Sequence, residues 1–86
     1  MDKIVSEIRG FAEERDWEKF HTPQNLAVSI IIEVAELLEL FQWTFNRVEG
    51  SPSFPEKSRI GEELADVVIY CLRLADIEGI DLIKEI

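Results

Sequence analysis

Leu26-Ala-Val-Ser-Ile-Ile-Ile-Glu33-Val-Ala-Glu36-Leu-Leu-Glu-Leu40 decides how this chain folds. It is the longest apolar run present, yet Ser29, Glu33, Glu36 and Glu39 interrupt it, and it falls short of the length that spans a bilayer. Leu26, Ile30, Leu37 and, just beyond, Phe41 fall at helical spacing and mark one apolar face. Glu33 sits on the edge of that face, and Glu36 lies further round on the same side. Acids placed so close to a buried surface need a reason. An unpaired buried carboxylate is costly or takes up a proton.

A second run repeats the device. Ile60, Leu64, Val67 and Cys71 define the apolar centre of another helix, and Glu63 and Asp66 lie together on one flank of it. Tyr70 falls between these two acids in angle, one turn further on. Glu62 projects to the opposite side, beside Arg73, which assigns it to solvent. Packed antiparallel, the two helices present Glu33, Glu36, Glu63 and Asp66 around one cavity, as bundle cores do when they hold metals. The economical counter-charge for four carboxylates is a hard divalent cation. Oxygen ligands without a following histidine favour Mg²⁺ or Mn²⁺ over zinc or iron. The pattern predicts a metal site and an enzyme.

Punctuation sets the remaining elements. Ile4, Ile8, Phe11 and Ala12 predict a first helix from Asp2 to about Asp16, and Trp17 to His21 reads as a connector. Thr22-Pro23 reads as an N-cap followed by proline in the first turn, so the second helix runs from Pro23 to about Phe45. Arg47 to Pro55 breaks the pattern. Ser53 and Glu56 have capping-box spacing for a third helix that runs to Glu78, with Gly79 closing it. Asp81 caps a short fourth helix. Strand-like alternation and internal repeats are missing, so the expected class is all-α: an antiparallel bundle of two long helices and one or two shorter ones.

Composition narrows the function. At 86 residues, with 47% apolar content, the chain carries more apolar surface than one thin bundle hides. Val28, Ile32 and Ile69 project off the main faces, which predicts oligomerisation. A net charge of −9 with dispersed cations excludes a nucleic-acid polymer as partner. One cysteine, Cys71, and no signal-peptide pattern indicate a reducing cytoplasm, with no membrane attachment. From pattern alone, Trp17, Trp43 and Tyr70 read as core or interface aromatics, His21 as a connector residue and Cys71 as a small core hydrophobe.

These residues match a known pattern. Glu33-Val-Ala-Glu36, 26 intervening residues, then Glu63-Leu-Ala-Asp66 resembles the E-x-x-E…E-x-x-D signature of the MazG-type all-α nucleoside triphosphate pyrophosphohydrolases. Arg15-Asp-Trp-Glu-Lys-Phe-His-Thr-Pro-Gln-Asn-Leu26, Glu36-Leu-Leu-Glu-Leu-Phe-Gln-Trp43 and Glu62-Glu-Leu-Ala-Asp-Val-Val-Ile-Tyr70 look like the dCTP pyrophosphatase branch. The resemblance spans Phe11 to Leu82. It implies a single MazG-like helical domain over residues 1–86, completed as a homodimer or homotetramer. It also implies Mg²⁺-dependent hydrolysis of a nucleoside triphosphate to monophosphate and pyrophosphate, as in clearance of the nucleotide pool. Glu33, Glu36, Glu63 and Asp66 would be the metal ligands, with Glu36 or Glu33 as general base. Trp17, His21, Asn25, Trp43 and Tyr70 would bind the nucleotide. Trp43 shares a stripe with Glu36 two turns away, about 11 Å along the axis, which suits a base reaching away from metal-bound phosphates.

Two departures accompany the match. Related chains carry a Lys-x-x-x-Asn segment ending in Tyr-Pro; the residues up to Ile86 contain no match to it, and Lys84 is out of register for it. Ile32 and Ala35 stand where close relatives carry glycines. The competing expectations are an all-α dUTP or general nucleoside triphosphate hydrolase, and a non-catalytic nucleotide-sensing or oligomerisation module.

Overall fold

The computed structural model describes residues 2–42, 49–50 and 54–86, and every regular element among them is helical. Helices α1 (Asp2–Glu14), α2 (Pro23–Glu39), α3 (Lys57–Ile77) and α4 (Leu82–Glu85) follow in order, with a 3-10 turn at Glu18–Phe20 in the connector after α1. α2 and α3 form the central pair, and α1 packs on α3. His21, just before α2, meets Arg73 late in α3, while Phe41 after α2 meets Phe54 before α3 with ring centroids 5.6 Å apart. The pair is therefore antiparallel.

Its register departs from the expected one in an instructive way. On α2 and its cap, Leu26, Ile30, Glu33, Leu37 and Leu40 are buried or half-buried; on α3 the same holds for Ile60, Glu63, Val67, Tyr70 and Leu74. Both series step alternately by three and four residues, the spacing of a helix–helix seam. Glu33 and Glu63 thus occupy seam positions, deeper than the edge and flank positions expected for them. Leu64, expected at the centre of the α3 stripe, is turned out and 48% exposed. The rotation follows from α3 serving two neighbours, since its C-terminal half also receives α1.

Arg73 is the clearest correction. Expected on the solvent side beside Glu62, it is only 4% exposed. Helical projection from the apolar stripe could not see α1, which docks on that side of α3.

Helix ends were partly as expected. Thr22 caps α2 through Oγ1, which accepts from the Asn25 N–H at 3.1 Å, and Pro23 opens the helix. α2 ends at Glu39, short of the expected Phe45: Leu40, Phe41 and Gln42 donate to carbonyls three residues back and tighten into a turn, and residues 43–45 lie outside the described residues. α3 begins at Lys57, later than a cap at Ser53 would place it. Ser53 itself is outside the described residues. Phe54 precedes Pro55, and a residue before proline is driven out of the helical region.

α1 and α3 close alike. Trp17 N–H reaches Ala12 C=O at 2.9 Å around Asp16 at φ 55°, and Ile80 N–H reaches Ala75 C=O at 2.8 Å around Gly79 at φ 68°. Such a closure needs one left-handed residue. A Cβ at Gly79 would meet open space, so its cost is backbone strain alone. Gly79→Ala should lower stability by about 1 kcal/mol. Gly10, mid-α1 and equally unobstructed, should give the opposite sign on Gly10→Ala, with a gain of about 0.5–1 kcal/mol. Urea midpoints of the two variants check both signs.

The core is thin. Among the described apolar residues only Ala12, Leu26, Leu72 and Ala75 are buried, while Val28, Ile31, Ile32, Val34 and Leu38 leave α2 apolar on its outward faces too. The radius of gyration is 15.3 Å, against about 12 Å for a compact chain of this length. A helix apolar all round is one that expects cover on every side.

Candidate active site

The α2–α3 seam sets the geometry of the acids. Carboxylate oxygens of Glu33, Glu36 and Glu63 lie within 4.8 Å of one another. One cation held at about 2.1–2.5 Å from each oxygen fits inside such a group. Glu33 Oε2 and Glu63 Oε2 are buried and have no hydrogen-bond partner. Burial pushes the Glu33 carboxyl above the usual carboxylate range, and the charges of Glu36 and Asp66 push it further. Burial does the same to Glu63, again reinforced by Glu36 and Asp66, with only the Arg59 charge opposing. Three lone-pair-rich groups with two orphaned buried oxygens are a donor set that fits a hard cation.

Asp66 stands apart from the close trio. It is exposed and acts on Glu33 and Glu63 through its charge. It also lines a neighbouring cleft of about 430 Å³ between α1, the connector and α3. Asp66 is therefore the join between the acids and that cleft.

The cleft has aromatic walls. Trp17, His21 and Tyr70 all line it, together with Phe11 and Arg73. Trp17 meets Phe11 edge-on with centroids 5.3 Å apart, and the Arg15 guanidinium lies 3.5 Å over the Phe11 ring. A volume of this size with mostly apolar walls and few polar groups suits a small planar ligand. Asn25 is placed differently: its side-chain amide donates to Phe20 C=O at 3.1 Å and ties the connector to the first turn of α2. Trp43 lies outside the described residues.

The connector is held by charges that the sequence reading missed. Arg73 Nε donates to His21 Nδ1 at 3.1 Å, and its Nη atoms lie 3.5 Å from Asp76 Oδ2 and 3.7 Å from Glu18 Oε1. Asp76 is gripped by Arg9 of α1 in a two-point contact at 2.6 and 2.8 Å. Arg9 and Arg73 hold the Asp76 carboxyl below its ordinary value, Arg9 more strongly. A signal was available: Arg73 follows Asp66 by seven residues, and so shares its face of α3.

A family model described as the MazG-like family matches residues 28–86. Mouse (Mus musculus) dCTP pyrophosphatase 1 is 49% identical over 74 residues, an alignment covering 84% of this chain and 44% of the relative. The human (Homo sapiens) dCTP pyrophosphatase 1 is 47% identical over 77 residues, with the same coverage of 84% and 44%. The chain spans less than half the length of the curated relatives it matches. Among solved structures, a pyrophosphatase from Archaeoglobus fulgidus superposes with a TM-score of 0.89 at 48% identity, covering 99% of this chain and 80% of the other. Among the described residues, no helix is long and apolar enough to cross a membrane.

Proposed function

This chain belongs to the MazG-like family, and from that membership we propose that it is a metal-dependent nucleoside triphosphate pyrophosphohydrolase with a preference for a cytosine deoxynucleotide. The reaction is the attack of water on the α-phosphorus and rupture of the α–β anhydride bond, giving monophosphate and pyrophosphate. The observation that carries the reading is the trio Glu33, Glu36 and Glu63, with two orphaned buried oxygens, opening beside an aromatic cleft.

Glu33, Glu36, Glu63 and Asp66 hold the cation, Mg²⁺ or Mn²⁺ by their all-oxygen chemistry. When bound, it offsets the triphosphate charge and lowers the pKa of water. Glu33 and Glu63, fixed in the seam, are the rigid ligands. Glu36 is exposed at the rim, where it meets solvent water and is the better placed of the two candidates to take its proton. Trp17 and Tyr70 flank the base in the cleft. Release of pyrophosphate from a panel of nucleoside triphosphates tests the reading, with Mg²⁺ and with EDTA. Turnover of dCTP that EDTA abolishes is the expected result. Faster turnover of dUTP would move the preference to a sibling activity, and binding without turnover on any nucleotide would overturn the enzyme.

The same reading includes a homodimer or homotetramer, supported by the outward apolar faces of α2 and by Leu64, Val68 and Ile69 on α3. Sedimentation at micromolar concentration should give at least a dimer. Ile31→Glu, at the most exposed of these α2 residues, should shift it toward monomer.

A further inference from the structure

His21 is the only histidine in the chain, and what faces its Nδ1 decides its chemistry. Arg73 carries donors and no acceptor. Its Nε lies 3.1 Å from His21 Nδ1 in a hydrogen bond, so Nδ1 must carry a lone pair and the ring proton must sit on Nε2. Arg73 cannot easily turn away. It is almost fully buried, and Asp76 and Glu18 engage its other nitrogens. Arg9 in turn anchors Asp76 from α1.

From this geometry we infer that Arg73 is a positioning residue that fixes His21 as the neutral Nε2–H tautomer, so that His21 serves the cleft as a hydrogen-bond donor to an acceptor atom on the edge of a nucleotide base, and not as a proton acceptor. The inference rests on the reading above that the cleft takes the base. No described residue accepts from Nε2. Trp17 stands beside the ring, centroid to centroid 6.1 Å and tilted by 55°, so an aromatic face and a directed donor occur together. A base offering a ring carbonyl or an unprotonated ring nitrogen satisfies that donor; a base offering only an amino group there leaves two donors opposed. The neutral ring is favoured on two counts: burial first, then the Arg73 charge, with Glu18 opposing. Glu7 and Asp66 line the same cleft, and Asp76 lies behind Arg73.

With one histidine, long-range ¹H–¹⁵N imidazole spectra of the whole chain need no assignment. At neutral pH they should show the Nε2–H pattern, and a non-hydrolysable dCTP analogue with Mg²⁺ should move Nε2 far more than Nδ1. An Nδ1–H pattern, an imidazolium at neutral pH, or an unmoved Nε2 in the presence of saturating analogue would overturn the inference. Arg73→Met should raise KM about tenfold or more with kcat within about threefold, and Arg73→Lys, which keeps a donor toward Nδ1, should recover part of the loss. A fall confined to kcat would overturn it as well. If Arg73→Met does not fold by circular dichroism, the spectra of the unaltered protein decide. The two readings fail separately: a chain that binds no nucleotide sinks the cleft assignment, whereas a turning-over enzyme with the wrong tautomer sinks only the role of Arg73.

Discussion

Glu63→Gln should cut pyrophosphate release by about a hundredfold or more, while Glu62→Gln, one residue away, should change it less than about threefold. The contrast comes from register. Glu63 sits in the α2–α3 seam with a buried, unpartnered oxygen, and Glu62 is exposed. The same substitution should act oppositely on stability. Without metal, the seam holds carboxylates that burial and mutual repulsion disfavour, so replacing one with a neutral amide should raise the melting temperature of the metal-free protein. Mg²⁺ should stabilise the unaltered protein by about 2.7 kcal/mol at a hundred times its Kd, and Glu63→Gln should lose most of that gain. Calorimetry with and without Mg²⁺, beside a pyrophosphate assay, reads both arms. Equal losses from Glu62→Gln and Glu63→Gln would mean that α3 is rotated from the seam described.

The second large effect is structural. Asp76→Ala removes the partner that Arg9 and Arg73 share and leaves Arg73 buried with one carboxylate at 3.7 Å. Breaking a buried pair from one side costs about 3–5 kcal/mol, a large share of the roughly 4–13 kcal/mol that a domain of this size possesses. Urea unfolding should show the midpoint falling accordingly. Because the folded carboxyl is held below its ordinary value, its contribution is fully present above the unfolded pKa of about 3.9 and is lost as pH falls through the lower folded value. Acid unfolding below about pH 4 should therefore be shallower in Asp76→Asn than in the unaltered chain.

Which parts of this molecule were legible from sequence depends on the range of the forces that place them. Thr22, Pro23, Gly79 and Asp81 act on groups a few residues away, and each stands at the helix end expected of it. The acids at three-residue spacing on two helices could be read because spacing alone puts each pair on one side of its helix. Glu33 and Glu63 in the seam, Leu64 turned outward and Arg73 buried were not legible in that way. Each depends on how far α3 rotates between α2 and α1. That rotation is secured by Arg9 and Asp76, 67 positions apart, which no helical projection of a single run contains. Pro55 was in plain view, and its effect on Phe54 could have moved the start of α3 without any structure.

Among the described residues four buried apolar side chains make a small reserve, while α2 keeps large apolar side chains on its exposed faces. If copies of the chain cover those faces, folding and association become one equilibrium, and dilution acts as a denaturant. Each tenfold fall in concentration then removes about 1.4 kcal/mol from a dimer. Melting temperatures would climb with protein concentration, and a newly made chain at low abundance would be exposed to proteases until it met a second. The amount of this protein in a cell would thus be set partly by its own concentration, through the fraction that survives to pair.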